Sequence, residues 1–111
     1  MMTESTIGEI AKDYGVTLRT LRFYEDKGFL APRRLDHRRL YDDKQRERLK
    51  TILASKKLGF TLAEIKEIIA FGGLEKLTPA RRAGQIAHLE QQRREIDEAI
   101  SELRGMMGMI G

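Results

Sequence analysis

The chain has 111 residues, enough for one small domain with an extended element and too few for two independent cores. Its 21 Lys and Arg against 17 Asp and Glu suit a polyanionic partner, and the excess is local: residues 1–60 hold 14 basic and 9 acidic residues, residues 61–111 hold 7 and 8. The absence of cysteine excludes disulfides, thiolate metal sites, iron–sulfur ligation and thiol redox sensing, and no apolar run approaches the roughly 20 residues that span a bilayer.

Thr6 and Glu9 form a capping box ahead of a helix whose Ile7, Ile10, Ala11 and Tyr14 fall on one face, and Gly15 is its natural stop. Thr17 caps a second helix that runs to about Lys27 before Gly28 closes it, with Leu18 and Leu21 packing inward. Two short helices joined by a Gly-Val-Thr turn make a helix-turn-helix. Pro32 marks the exit into an extended segment, and Asp36-His37 reads as the tip of a short hairpin whose second arm ends at Leu40-Tyr41. Asp42 or Asp43 then caps a helix reaching Leu58, with Leu49, Ile52 and Leu53 as its buried stripe. Thr61 with Glu64 is a second capping box, for a helix carrying Leu62, Ile65, Ile68 and Ile69, and Gly72-Gly73 breaks it.

After a connector over Leu74 to Leu77, Thr78 as cap and Pro79 at the first helical position start a long helix to about Met106, on the order of 40 Å at the standard rise. Ile86, Leu89, Ile96, Ile100, Leu103, Met107 and Ile110 step along it by threes and fours, with Arg93 filling the one gap. One helix cannot bury such a stripe against itself, so the repeat calls for a packing partner of coiled-coil type. Glu90, Arg94, Asp97, Glu98 and Glu102 suit a solvated outer face, and Gly105, Gly108 and Gly111 predict a frayed tail. Arg93 either snorkels from the seam or meets an acidic partner residue and sets register.

A helix that presents arginines is a common way to read the major groove of DNA. Arg19 and Arg22 sit one turn apart on the second helix, with Thr20 and Tyr24 nearby; the bland alternative is that they solvate the surface or pair with Glu25 and Asp26. The hairpin holds Arg33, Arg34, Arg38 and Arg39, flanked by Tyr41 and opposed only by Asp36, which suits phosphate or minor-groove contacts where the coulombic contribution dominates. Lys56 and Lys57 add cations near the end of the third helix.

The segments Thr6 to Ala11, Gly15 to Glu25, Arg38-Arg-Leu-Tyr41 and Leu58-Gly-Phe-Thr-Leu62 together resemble the N-terminal half of MerR-family bacterial transcription regulators. The resemblance implies a mainly α fold: a winged helix-turn-helix DNA-binding domain with a small β-hairpin wing over residues 1–71, a linker over 72–77, and a dimerisation helix with a short flexible tail over 78–111, pairing antiparallel with a second copy. It implies DNA contacts from Arg19, Thr20, Arg22, Tyr24, Arg33, Arg38, Arg39 and Tyr41, with Lys56 on a phosphate, and a dimer interface of Ile86, Leu89, Arg93, Ile96, Ile100, Leu103 and Met107. The function implied is a homodimer that binds a palindromic promoter operator in double-stranded DNA and distorts it to control RNA polymerase, in the cytoplasm at the nucleoid. The sequence departs from the family in its Asp36-His37-Arg38 tip, in lacking the cysteines of metal sensors, and in ending at Gly111 without a large drug-binding domain, which leaves the effector unread.

His37 and His88 lack any partner at metal-ligand spacing; His37 suits phosphate donation, and Tyr14 and the methionines from Met106 to Met109 suit packing. No cofactor, metal or membrane partner is expected. Nor is an enzyme, since no paired carboxylates, nucleophile–base set or phosphate-cradling loop is present. The competing function is a small architectural or excisionase-like DNA-bending protein, against which the long helix speaks.

Overall fold

The computed structural model describes residues 4–110, with the side chains of residues 109 and 110 outside that description. The chain divides into two compact units, one ending at Leu74 and the other beginning at Glu75. The first unit contains β1 (Ser5–Thr6), α1 (Ile7–Tyr14), α2 (Leu18–Asp26), β2 (Arg33–Leu35), β3 (Arg38–Tyr41), α3 (Asp43–Lys57) and α4 (Leu62–Ala70). The second is essentially one helix, α5 (Pro79–Ile110), preceded by a short 3₁₀ turn over Leu74–Lys76. The fold is mainly helical, as the sequence implies, and its three-stranded antiparallel sheet runs in the order β1-β3-β2.

Local chemistry sets the helix starts. Thr6 accepts from the Glu9 amide at 3.2 Å while the Glu9 carboxylate accepts from the Thr6 amide at 2.9 Å, and Thr61 and Glu64 repeat the exchange at 3.2 and 2.9 Å. These reciprocal bonds satisfy donors that the first helical turn leaves unpaired. The backbone bond to Thr6 also holds the Glu9 carboxyl below its ordinary range. Thr17 caps α2 through the Thr20 amide, Asp42 rather than Asp43 caps α3, and Thr78 caps α5 through the Arg81 amide. Gly15 ends α1 in the left-handed conformation at φ 63°, where a Cβ would be strained.

The core of the first unit is built from all four helices and β3. Ile10 from α1, Leu21 and Tyr24 from α2, Tyr41 from β3, Leu49 and Ile52 from α3, and Ile65 and Ile68 from α4 are buried, joined by Phe29, Leu30 and Phe60 from the connecting segments. Gln45, also buried, spends its side-chain oxygen on the Ala31 amide at 2.8 Å and so anchors the segment leaving α2. One buried hydroxyl, that of Ser55, has no hydrogen-bond partner among the described residues.

The structure differs from the sequence-based expectations in four places. Ser5–Thr6 forms a strand, pairing Ser5 with Tyr41 and Thr6 with Leu40, so the hairpin is widened by a third strand from the start of the chain. Leu18, expected to pack inward, is 40% exposed because the buried face of α2 is centred on Leu21 and Tyr24. Leu53 is only half-buried, the fourth inward position of α3 being taken by Ser55. Finally, α5 continues through Gly105 and Gly108 to Ile110 rather than fraying near Met106; Gly111 lies outside the described residues.

Candidate nucleic-acid interface

The exposed face of α2 is cationic because its opposite face is committed to the core. Leu21 and Tyr24 point inward, the Tyr24 ring meeting Phe29 edge-on at 6.1 Å and Phe23 at 5.7 Å, which leaves Arg19 and Arg22 on the outside. Neither arginine has a carboxylate partner among the described residues; Glu25 and Asp26 do not take them. Thr20 sits at the edge of that face, its hydroxyl 2.9 Å from the Thr17 hydroxyl.

The hairpin is tied to α2 by one carboxylate. Glu25 accepts from Arg39 Nε at 2.9 Å through one oxygen and from the Tyr41 hydroxyl, in a short hydrogen bond, through the other. The Glu25 side chain is 9% exposed and that of Arg39 25%, so this pair is much better shielded from water than a surface ion pair. Burial, reinforced by the bond to Glu25, pushes the Tyr41 phenol well above its ordinary pKa. Arg33, on the neighbouring strand, is held by Glu4 at 2.7 and 3.0 Å, a contact that holds the Glu4 carboxyl below its ordinary range.

These contacts show where the expected site residues stand. Tyr24 and Tyr41, expected to touch DNA, are 1% and 0% exposed; the first is a core ring and the second spends its hydroxyl on Glu25. Arg39 and Arg33 are each paired with a carboxylate within the chain. Arg19, Arg22, Arg38 and Lys56 are exposed and have no carboxylate partner among the described residues, and the same holds for Arg34 of the hairpin. The structure therefore brings two exposed arginines on α2 and two on the hairpin onto one unit, with Glu25 joining their supports.

At the hairpin tip the strands pair Leu35 with Arg38, leaving Asp36 and His37 as a two-residue turn. Both take positive φ, 49° and 67°, the signature of a type I′ turn, whose twist matches that of the strands. The exposed His37 side chain and Arg38 thus stand at the far end of a short, tightly turned ribbon.

On α5, Ile86, Leu89, Ile96, Ile100, Leu103 and Met107 are all exposed within a single chain, at between 37% and 73%, as is Arg93. The Ile110 side chain lies outside the described residues. No group of three or more potential metal ligands occurs among the described residues, and no described helix is long and apolar enough to cross a membrane.

Comparison with known proteins places this geometry. Residues 5–71 match the description "MerR HTH family regulatory protein", and residues 46–110 match "MerR, DNA binding". The chain is 34% identical over 107 residues to the HTH-type transcriptional activator TipA of Streptomyces coelicolor, an alignment covering 95% of this chain but 39% of TipA, so the chain spans about two fifths of that relative. A MerR-family transcriptional regulator from Bacillus cereus superposes with a TM-score of 0.83 at 30% identity, covering 94% of this chain and 80% of that one. The N-terminal part of the Bacillus subtilis multidrug transporter activator, MtaN, superposes at 0.73 with 31% identity, covering 93% and 97%. On fold, on motif order and on these matches, the chain belongs to the MerR family of helix-turn-helix regulatory proteins.

Proposed function

We propose that the chain acts as a homodimeric, sequence-specific DNA-binding regulator of transcription. In this reading residues 1–71 are the winged helix-turn-helix, 72–77 the linker and 78–111 the dimerisation helix with its short tail. The observation that carries it is the outward pair Arg19 and Arg22, without a carboxylate partner among the described residues, on a helix whose other side is locked through Glu25 to a wing bearing Arg34 and Arg38. A rigid support of that kind holds donors at a fixed spacing, as recognition of a groove and its flanking phosphates requires.

The operator in this reading is a palindrome within a promoter, read by two copies paired antiparallel along α5. Distortion of the duplex, with RNA polymerase as the beneficiary, would draw its energy from contacts made only on bent DNA. The chain then works in the cytoplasm at the nucleoid, without a cofactor. Footprinting of the purified chain tests the reading. Protection of a twofold-symmetric site between promoter elements is expected; protection confined to recombination sites would instead favour an architectural DNA-bending role. Arg22→Ala is expected to weaken operator binding by about 1–3 kcal/mol and to relax base preference at one position if the contact is to a base. An unchanged footprint and affinity would remove Arg22 from the interface.

A further inference from the structure

The outward arc of α2 holds one side chain that the arginine contacts leave unexplained. Leu18, the first residue of the helix, is 40% exposed although Leu21, three positions on, is fully buried. Arg22 lies four positions beyond Leu18, so the two project about 40° apart around the axis, and Arg19 follows about 100° from Leu18. A large, partly exposed aliphatic group thus stands on the same arc as two guanidinium groups. The other exposed apolar side chain of this helix, Phe23, is already engaged: Lys27 Nζ lies 5.7 Å from its ring centre and the Tyr24 ring packs beside it.

The base edges of the major groove offer a distinctive apolar feature, the 5-methyl group of thymine, and side chains in the first turn of a recognition helix are those that reach base edges. Thr17 and Thr20 fix that first turn, since the Thr17 hydroxyl accepts from the Thr20 amide at 3.1 Å, so the direction of Leu18 is set before any DNA arrives. We propose that Leu18 is a specificity determinant that packs on a thymine methyl beside the contact made by Arg22. The proposal rests on the DNA-binding reading above and adds to it a base identity that arginines alone do not supply.

The test is made first on the DNA. An operator selected from random duplexes with the full chain is resynthesised with each thymine replaced in turn by uracil, which removes the methyl and nothing else, and binding is measured at one fixed salt concentration. At one thymine per half-site, uracil is expected to weaken binding by the wild-type chain about fourfold, the worth of one buried methyl-sized group. Leu18→Ala is expected to bind the thymine and uracil duplexes equally. Uracil that weakens Leu18→Ala as much as the wild type would show that another residue reads the methyl, and the proposal fails. It fails as well if no thymine responds in the wild type, a result that stands whether or not the variant folds. A wild-type chain that binds no duplex would overturn the DNA-binding reading itself and this proposal with it.

Discussion

Tyr41 and Ser55 show how the same burial acts in opposite senses on two polar groups. The Tyr41 hydroxyl is buried but donates to an ionised acceptor, Glu25, and hydrogen bonds to charged groups are worth about 1.5–3 kcal/mol. Its phenol pKa is raised above the ordinary 10.0, first by burial and then by that bond. A raised folded-state value means that the stabilisation is complete below about pH 10 and is lost as the pH climbs towards the folded value. Tyr41→Phe is therefore expected to lower stability at neutral pH and to flatten the alkaline fall in the urea midpoint above about pH 10; parallel alkaline declines in the two proteins would show that Tyr41 does not govern that limb. Ser55 has no such partner among the described residues, and leaving a buried hydroxyl unsatisfied costs about 1–3 kcal/mol. Ser55→Ala, which also improves helix propensity within α3, is expected to raise stability by about 1 kcal/mol in the same measurement. A loss of stability would mean that the hydroxyl has a partner, such as an ordered water.

Among the elements, helix starts were legible in the sequence and the sheet was only half so. Thr6 with Glu9, Thr17, Thr61 with Glu64, and Thr78 before Pro79 act within one helical turn, so neighbouring residue types suffice to find them. β1 could not be found in this way, because two residues become a strand only by meeting Leu40 and Tyr41 far along the chain. The pairing of Glu25 with Arg39 and Tyr41, and of Glu4 with Arg33, is hidden for the same reason: sequence shows an excess of arginine in the wing but not which guanidinium groups are already spent. Helical phase was the remaining ambiguity on α2. Leu18, Leu21 and Tyr24 repeat every three residues, drifting about 60° per step, and only packing decides which two fall inside.

The wing turn offers a direct test at this scale. L-residues such as Asp36 and His37 in the left-handed region cost on the order of 1–2 kcal/mol each, although Asp pays less because its side chain can bond locally. Replacing them together, Asp36→Asn with His37→Gly, supplies the pair that type I′ turns favour. The double variant is expected to melt several degrees higher, a shift of about 4–8 °C for each kcal/mol in a domain of this size. No rise would indicate that side-chain contacts at the tip offset the backbone cost. If His37 also reaches a phosphate, the stabilised protein will bind DNA less tightly despite its firmer wing.

For the whole molecule, what remains to be explained is why the second unit is one helix with an apolar stripe in water. Ile86, Leu89, Ile96, Ile100, Leu103 and Met107 lie exposed along more than twenty residues of α5, far more apolar surface than a monomeric helix keeps without a partner. An isolated helix gains little from propensity, and most helical stability in proteins comes from packing an apolar face. In the function proposed above, a second copy would supply that face, and a twofold pairing would place two winged units on one duplex, so that the dimer and the palindromic operator become a single geometric requirement. Ile100→Asp puts a charge into the middle of the stripe, where pairing would bury it without a counter-ion, at a cost of several kcal/mol per dimer. Monomers are expected in sedimentation at micromolar concentration, α5 is expected to lose much of its helical circular dichroism, and binding to a full operator is expected to fall to the level of one half-site. The first unit, whose buried apolar side chains among the described residues run from Ile10 to Ile68, is expected to keep its fold, so a half-site should still be contacted weakly at low salt. A dimer that survives this substitution would show that the stripe is not the seam, and the coupling between pairing and operator symmetry would have to be sought on another surface.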